Sequence, residues 1–275
     1  MEWSKLKTII ILILAVSNVF LAGLLISRAA ARDASQQAAI DRTVAVFEKN
    51  GIRMDSEIIP KVLTYKTLQL ERNRNREQEI ASVLGRSSYS DQGGGISIYS
   101  GENGTALFRG NGEFEILMND GAIPVDPDSY KEYASELFAR MGFDTKEGFS
   151  LSEEEDGTVA VSSGQTLDGS PVFNCRAIVS FLDGQLISVA GRRLTSDPVS
   201  SEEAESISVE TALVRFLNYL NEQGDVCNRI ETITPGYTAQ ATAVDPVRLV
   251  PVWKIVTDTG AYYVSCETGA VEKTE

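Results

Sequence analysis

Histidine is absent from all 275 residues. Its absence removes the commonest general base, most serine and cysteine nucleophile systems and most catalytic zinc sites. Carboxylate-pair and Ser-Lys chemistry remain open. Cysteine is scarce. Cys175, Cys227 and Cys266 are far apart, odd in number and form no CxxC. Three small buried hydrophobes is the expectation; one disulfide with one free thiol, in an exported chain, is the alternative. Positive charge is also short, with 25 Lys and Arg against 39 Asp and Glu, a net of -14. Residues 1–27 carry +1, so the remainder carries -15. That balance excludes a basic footprint for nucleic acid, and it keeps the body off an anionic lipid surface.

Long apolar runs are missing as well, with one exception. Thr8 to Ile26 is a stretch of 19 residues without a charge. As a helix it spans about 28 Å, close to a hydrocarbon core of about 30 Å. A signal-peptide apolar region is shorter, about 7–15 residues. Ala29-Ala30-Ala31 resembles a cleavage site, but the length favours a retained anchor. No cysteine lies near residue 25 to carry a lipid. Lys5 and Lys7 before the run balance Arg28 and Arg32 after it, so flanking charge does not set orientation. The tail is short and the domain after the run is long, which places the N-terminus in the cytoplasm and the rest outside. Ser17 and Asn18 sit in the middle of the run. Ala15, Asn18 and Ala22 follow at i, i+3 and i+7, and a small-plus-polar stripe lets a second helix come close, an Asn contact contributing about 1 kcal/mol. Ala15, Ser17, Asn18 and Ala22 are therefore the expected partner-binding residues. A lone tolerated Asn is the alternative.

Beyond the anchor, residues 34–50 read as a helix with Ile40, Val44 and Phe47 on one face, closed by Gly51. A strand near Leu63–Leu70 leads to a polar helix over Glu71–Leu84, and Gly85 to Gly95 reads as a loop. Three strands follow, Ile96–Ser100, Thr105–Arg109 and Glu113–Met118, separated by hairpin-type turns. The rest holds a weak repeat. Helices with apolar Tyr130, Ala134, Leu137, Phe138 and Met141, and with Val209, Ala212, Leu213, Phe216, Leu217 and Leu220, end at Gly142 and near Gly224. Each precedes strand-like segments, Thr158–Thr166 with Pro171-Val172-Phe173, and Gly236–Ala243 with Pro251-Val252-Trp253. The expected organisation is a tail and transmembrane helix over 1–32 and an α+β domain over 33–125. A C-terminal domain over 126–275 then holds two helix-on-antiparallel-sheet repeats, about 126–200 and 201–275, joined by an acidic linker at Ser200–Ser206.

Candidates for chemistry are thin. Gly93-Gly94-Gly95 precedes a strand rather than a helix, so it reads as a turn and not a phosphate loop. Glu153-Glu154-Glu155-Asp156 and Glu202-Glu203-Ala204-Glu205 lack the alternation of a calcium loop and read as solvated acidic loops. There is no GxSxG, and without histidine no HExxH. Trp253, Tyr262 and Tyr263 alternate as strand residues packed on a sheet. No catalytic residue, cofactor site or metal site is expected.

The start, Glu2-Trp3-Ser4-Lys5-x-Lys7-Thr8-Ile9 followed by Asn18-x-Phe20-Leu21, resembles the N-terminus of the YycI family. The ending, Leu249-Val250-Pro251-Val252-Trp253-Lys254-Ile255, Gly260-x-Tyr262-Tyr263-Val264 and Thr268-Gly269-Ala270-Val271, resembles the strand motif of PepSY-like domains. The resemblance implies a tandem PepSY-like repeat outside a Gram-positive cell membrane. It further implies a non-enzymatic regulator of a WalK/YycG-type sensor histidine kinase controlling cell-wall metabolism, working through transmembrane-helix contacts with a YycH partner. An extracellular ligand stays open. The alternative is an anchored PepSY-type binding protein that inhibits or escorts an extracellular peptidase.

Overall fold

The computed structural model describes residues 2–60, 66–143, 149–202, 206–241 and 247–274; the side chains of residues 2, 4–6, 8–11, 26, 29, 32 and 200–202 lie outside that description. The expected strand at Leu63–Leu70 and linker at Ser200–Ser206 fall partly beyond these residues.

One helix, α1, runs without a break from Glu2 to Lys49. The sequence reading separates residues 8–26 from 34–50. The chain does not separate them, because Ser27-Arg28-Ala29-Ala30-Ala31-Arg32-Asp33 contains neither Gly nor Pro and is rich in helix formers. Gly51, at φ 80°, stops the helix, with the Ile52 N–H reaching back to the Phe47 carbonyl at 3.0 Å. Only Gly takes that left-handed turn without strain.

Three further α-helices stand among the described residues: α2 (Arg74–Ala81), α3 (Tyr130–Met141) and α4 (Val209–Gln223). Gly142 and Gly224 close α3 and α4 at φ 80° and 70°. Ser208 caps α4 by accepting from the Thr211 N–H. Both long helices bury the apolar face that their spacing defines, Ala134, Leu137, Phe138 and Met141 on α3 and Ala212, Leu213, Phe216 and Leu220 on α4.

Among the described residues fourteen strands join in one hydrogen-bonded network, which makes the protein a mixed α+β fold around a large sheet. In chain order they are β1 (Thr67–Leu70), β2 (Ser87–Gly93), β3 (Ile96–Gly101), β4 (Gly104–Arg109), β5 (Glu113–Met118), β6 (Ser150–Glu153) and β7 (Val159–Leu167). They continue as β8 (Ser170–Leu182), β9 (Gln185–Arg192), β10 (Ser200–Glu202), β11 (Ile230–Gln240), β12 (Val247–Thr257), β13 (Gly260–Ser265) and β14 (Val271–Lys273). After α3 come β7, β8 and β9, each antiparallel to the next; after α4 come β11, β12 and β13, likewise. Asp168-Gly169 and Asp183-Gly184, all with positive φ, make the two tight turns of the first set. That pair of residues suits the hairpin turn whose twist matches the strands. The two sets meet where β8 and β11 run parallel, Val172 beside Tyr237.

Two expectations need correcting. Gly85 to Gly95 is not a loop: residues 87–93 form β2, antiparallel to β3, and only Gly93, Gly94 and Gly95 make the turn. Ser200–Glu202 is not linker but the edge strand β10, paired with β1. Residues 33–125 also have no core of their own. Ile40, Phe47, Ile52 and Met54 pack with α4, Trp253 and Tyr262. Ile80, Leu84, Tyr99, Phe108 and Ile116 pack instead with α3 and β7–β9. Strand β5 pairs directly with β9, so the early hairpins extend the sheet of β7–β9.

Candidate functional site

The N-terminal half of α1 stands clear of the body. Leu12, Ile13, Leu14, Val16, Val19, Phe20, Leu21, Leu24 and Leu25 are all exposed, at 40–73%. These side chains cover about two-thirds of the circumference, with Ala15, Asn18 and Ala22 in the remaining third, and a helix so largely apolar is one that something else covers. At 100° per residue, Ala15, Asn18 and Ala22 fall within about 60° of arc, whereas Ser17 lies about 100° beyond Asn18. Ala15, Asn18 and Ala22 thus share one face of the helix, and Ser17 lies on another. All four are exposed. Among the described residues no helix is long and apolar enough to cross a membrane, although the side chains at 8–11 and 26 lie outside them. At the entry to the run, the Lys7 ammonium sits 4.9 Å from the centre of the Trp3 ring.

The C-terminal half of the same helix is docked. Phe47 is fully buried and Ile40 and Thr43 nearly so, against the apolar face of α4. Burying Ile40 and Phe47 contributes about 1.5–3 kcal/mol each. The exposed run and the folded body are therefore two ends of one helix.

The remaining candidates resolve into packing. Trp253 and Tyr262 are buried against α4 and the docked end of α1, and Tyr263 stacks on Phe173 with ring centres 5.5 Å apart. The Tyr262 hydroxyl donates to Asp225 at 2.9 Å, and Lys273 reaches the same oxygen at 3.1 Å, a pairing that holds the Asp225 carboxyl below its ordinary value. Glu153 to Asp156 are exposed, and Asp156 accepts from the Thr158 N–H in a tight turn. Positions 203–205 of the second acidic run lie outside the described residues. Cys175 and Cys266 are buried, with their thiols pushed up to about 12, and Cys227 is half-buried with its thiol raised by burial and by Asp258.

Sequence spacing gave no sign of one polar network. Arg72 grips Glu77 with two hydrogen bonds, at 2.7 and 3.1 Å, and also donates to the Gly95 carbonyl and Ser97 Oγ. Glu77 and Ser97 are buried, so α2 is fastened to β3 through charge. The acid in α2 reads as surface because its partner comes from outside the helix.

No family model matches the chain, and no curated protein does. Solved structures do. An uncharacterized protein from Eubacterium rectale is similar at 12% identity, over 81% of this chain and 85% of that one, with a TM-score of 0.47. The YpeB C-terminal domain of Bacillus megaterium is similar at 11% identity, over 75% and 99%, with a TM-score of 0.36. YycH from Bacillus subtilis is similar at 8% identity, over 78% of this chain and 53% of that one, with a TM-score of 0.39. At such identities the functional argument rests on the chain's own residues.

Proposed function

We propose that the protein is a membrane-anchored, non-enzymatic accessory regulator of a sensor histidine kinase of the WalK type. In this reading it acts through helix contacts in the membrane alongside a YycH-like partner. The observation that carries it is the unbroken α1, apolar and uncovered over residues 12–25 and locked to the body over residues 40–47. The uncharged stretch from Thr8 to Ile26 has the length of a bilayer core, and the body would then stand outside the cell. Inside lipid, Asn18 seeks a hydrogen-bond partner, and Ala15 and Ala22 let a neighbouring helix approach. A kinase helix that fits this stripe better in one signalling state than the other is biased toward it. Differential packing of about 1–3 kcal/mol shifts that balance about 5–150-fold.

Asn18→Leu tests the reading. Co-purification with the kinase from membranes should fall, and exchanging residues 6–27 for an unrelated apolar helix should abolish regulation. Retained association and signalling in both variants would overturn it. Full function with the exchanged anchor would point instead to a binding protein whose exported body acts alone.

A further inference from the structure

An open groove of about 750 Å³, within the range of ligand sites, lies beside the docked end of α1. Three elements build it. One wall is α1, where Asp41, Val44 and Glu48 stand at i, i+3 and i+7 on a single face. The second is the extended segment after Gly51, with Arg53, Met54, Asp55 and Ile58; the third is the start of β11. Backbone hydrogen bonds tie the last two together, Arg53 N–H to the Asn228 carbonyl at 2.9 Å and Ile230 N–H to the Arg53 carbonyl at 3.0 Å. The groove is thus preformed and shares a wall with the anchor helix.

Its lining is amphipathic. Val44 and Ile58, only half covered, supply the apolar surface, with Met54 and Ile230 buried beneath them. Charge is unbalanced. Arg229 is committed to Glu231 at 2.9 Å, which leaves Asp41, Glu48 and Asp55 around one guanidinium, Arg53. Asp41 spends one oxygen on Gln37, and Asp55 spends one on the Glu57 N–H. An apolar floor under a net acidic rim complements a strip that is apolar on one side and cationic on the other.

We propose that this groove takes a basic amphipathic segment of a partner protein. The proposal deepens the regulator reading by giving the body a docking site of its own, and it rests on that reading for its setting. If residues 8–26 span the bilayer, the rise of the helix sets Asp41 about 22 Å and Glu48 about 33 Å beyond Ile26. Lipid headgroups do not reach that height, so the occupant is protein. Because Asp41, Val44 and Glu48 belong to α1, an occupied groove touches the helix that carries the Asn18 stripe.

The test uses the full chain in zwitterionic lipid nanodiscs, with an amidated Lys/Leu peptide of about twelve residues at helical spacing as probe. Saturable binding above that to empty discs is expected, weakened by added salt. Asp41→Lys with Glu48→Lys, both on the exposed surface of α1, should weaken it about tenfold or more, and Ile58→Ala should weaken it without changing its salt dependence. Asn18→Leu should leave it unchanged, so failure here and failure of the kinase contact are read separately. Binding no greater than to empty discs, equal binding by the charge-reversed chain, or equal binding of a Glu/Leu peptide would overturn the proposal.

Discussion

The ring of Phe173 lies directly on Gly236. A Cβ built at Gly236 would stand 2.7 Å from a ring carbon of Phe173 and 2.5 Å from the Pro171 carbonyl oxygen. The same ring stacks on Tyr263 and lies 5.4 Å from the Lys254 ammonium. One aromatic from the long strand β8 is thus seated against β11, β12 and β13, beside the parallel contact of Val172 and Tyr237.

Gly236→Ala should therefore loosen the contact between β8 and β11. The backbone of Pro171 cannot step aside as a flexible side chain can, so overpacking should cost about 1–3 kcal/mol. The denaturant midpoint of the full chain reports it. A midpoint equal to that of the parent would show that the β8–β11 contact carries no stability.

The stripe on α1 makes a second, sharper prediction. Asn18→Leu should reduce association with the kinase by about fivefold, the value of one interhelical hydrogen bond near 1 kcal/mol. Ser17→Leu, on a different face, should leave it near the parent. Quantitative co-purification from membranes separates them, and equal losses from both substitutions would remove the directional stripe.

Arg72→Met should destabilise the protein by about 3–5 kcal/mol, because it strands the buried carboxylate of Glu77. Removing both charges with Arg72→Met and Glu77→Leu should recover much of that loss, since no unpaired ion then remains. Thermal or denaturant unfolding of the single and double variants measures the difference. If the double variant is no better than the single, the pair is not the source of the stability.

Thiol chemistry should discriminate among the three cysteines. At about pH 8 in the folded chain, Cys227 should be alkylated first, because the thiolate is the reactive form and burial holds Cys175 and Cys266 protonated. All three should react once the chain is unfolded. Peptide mass mapping after brief iodoacetamide treatment reads the order.

The parts of the fold visible in the sequence are those in which burial writes a period. The faces of α3 and α4 and the closing glycines Gly142 and Gly224 stand in the structure where spacing places them. So do the three strands β3, β4 and β5. Strand β2 escapes because all seven of its residues, Ser87 to Gly93, are exposed, so no alternation of apolar and polar residues marks it. The pairings of β5 with β9 and of β8 with β11 join residues far apart in the chain, and local pattern holds no information on them. The stripe was legible as spacing, and the exclusion of Ser17 follows from the same helical geometry. The groove was not, because its walls come from three segments between Asp41 and Glu231 that only the folded chain brings together.

The continuity of α1 makes the rotation of its apolar end and the heading of the whole body a single quantity. Each residue of the helix contributes about 100° of turn and about 1.5 Å of height. Deleting one residue between positions 27 and 36 would therefore swing the whole body by more than a quarter circle about the helix axis while hardly shifting it along that axis. Deleting seven would restore almost the original heading about 10 Å closer in. For a protein of this build, the length of that short polar stretch acts as an angular setting, and its phase matters more than its reach.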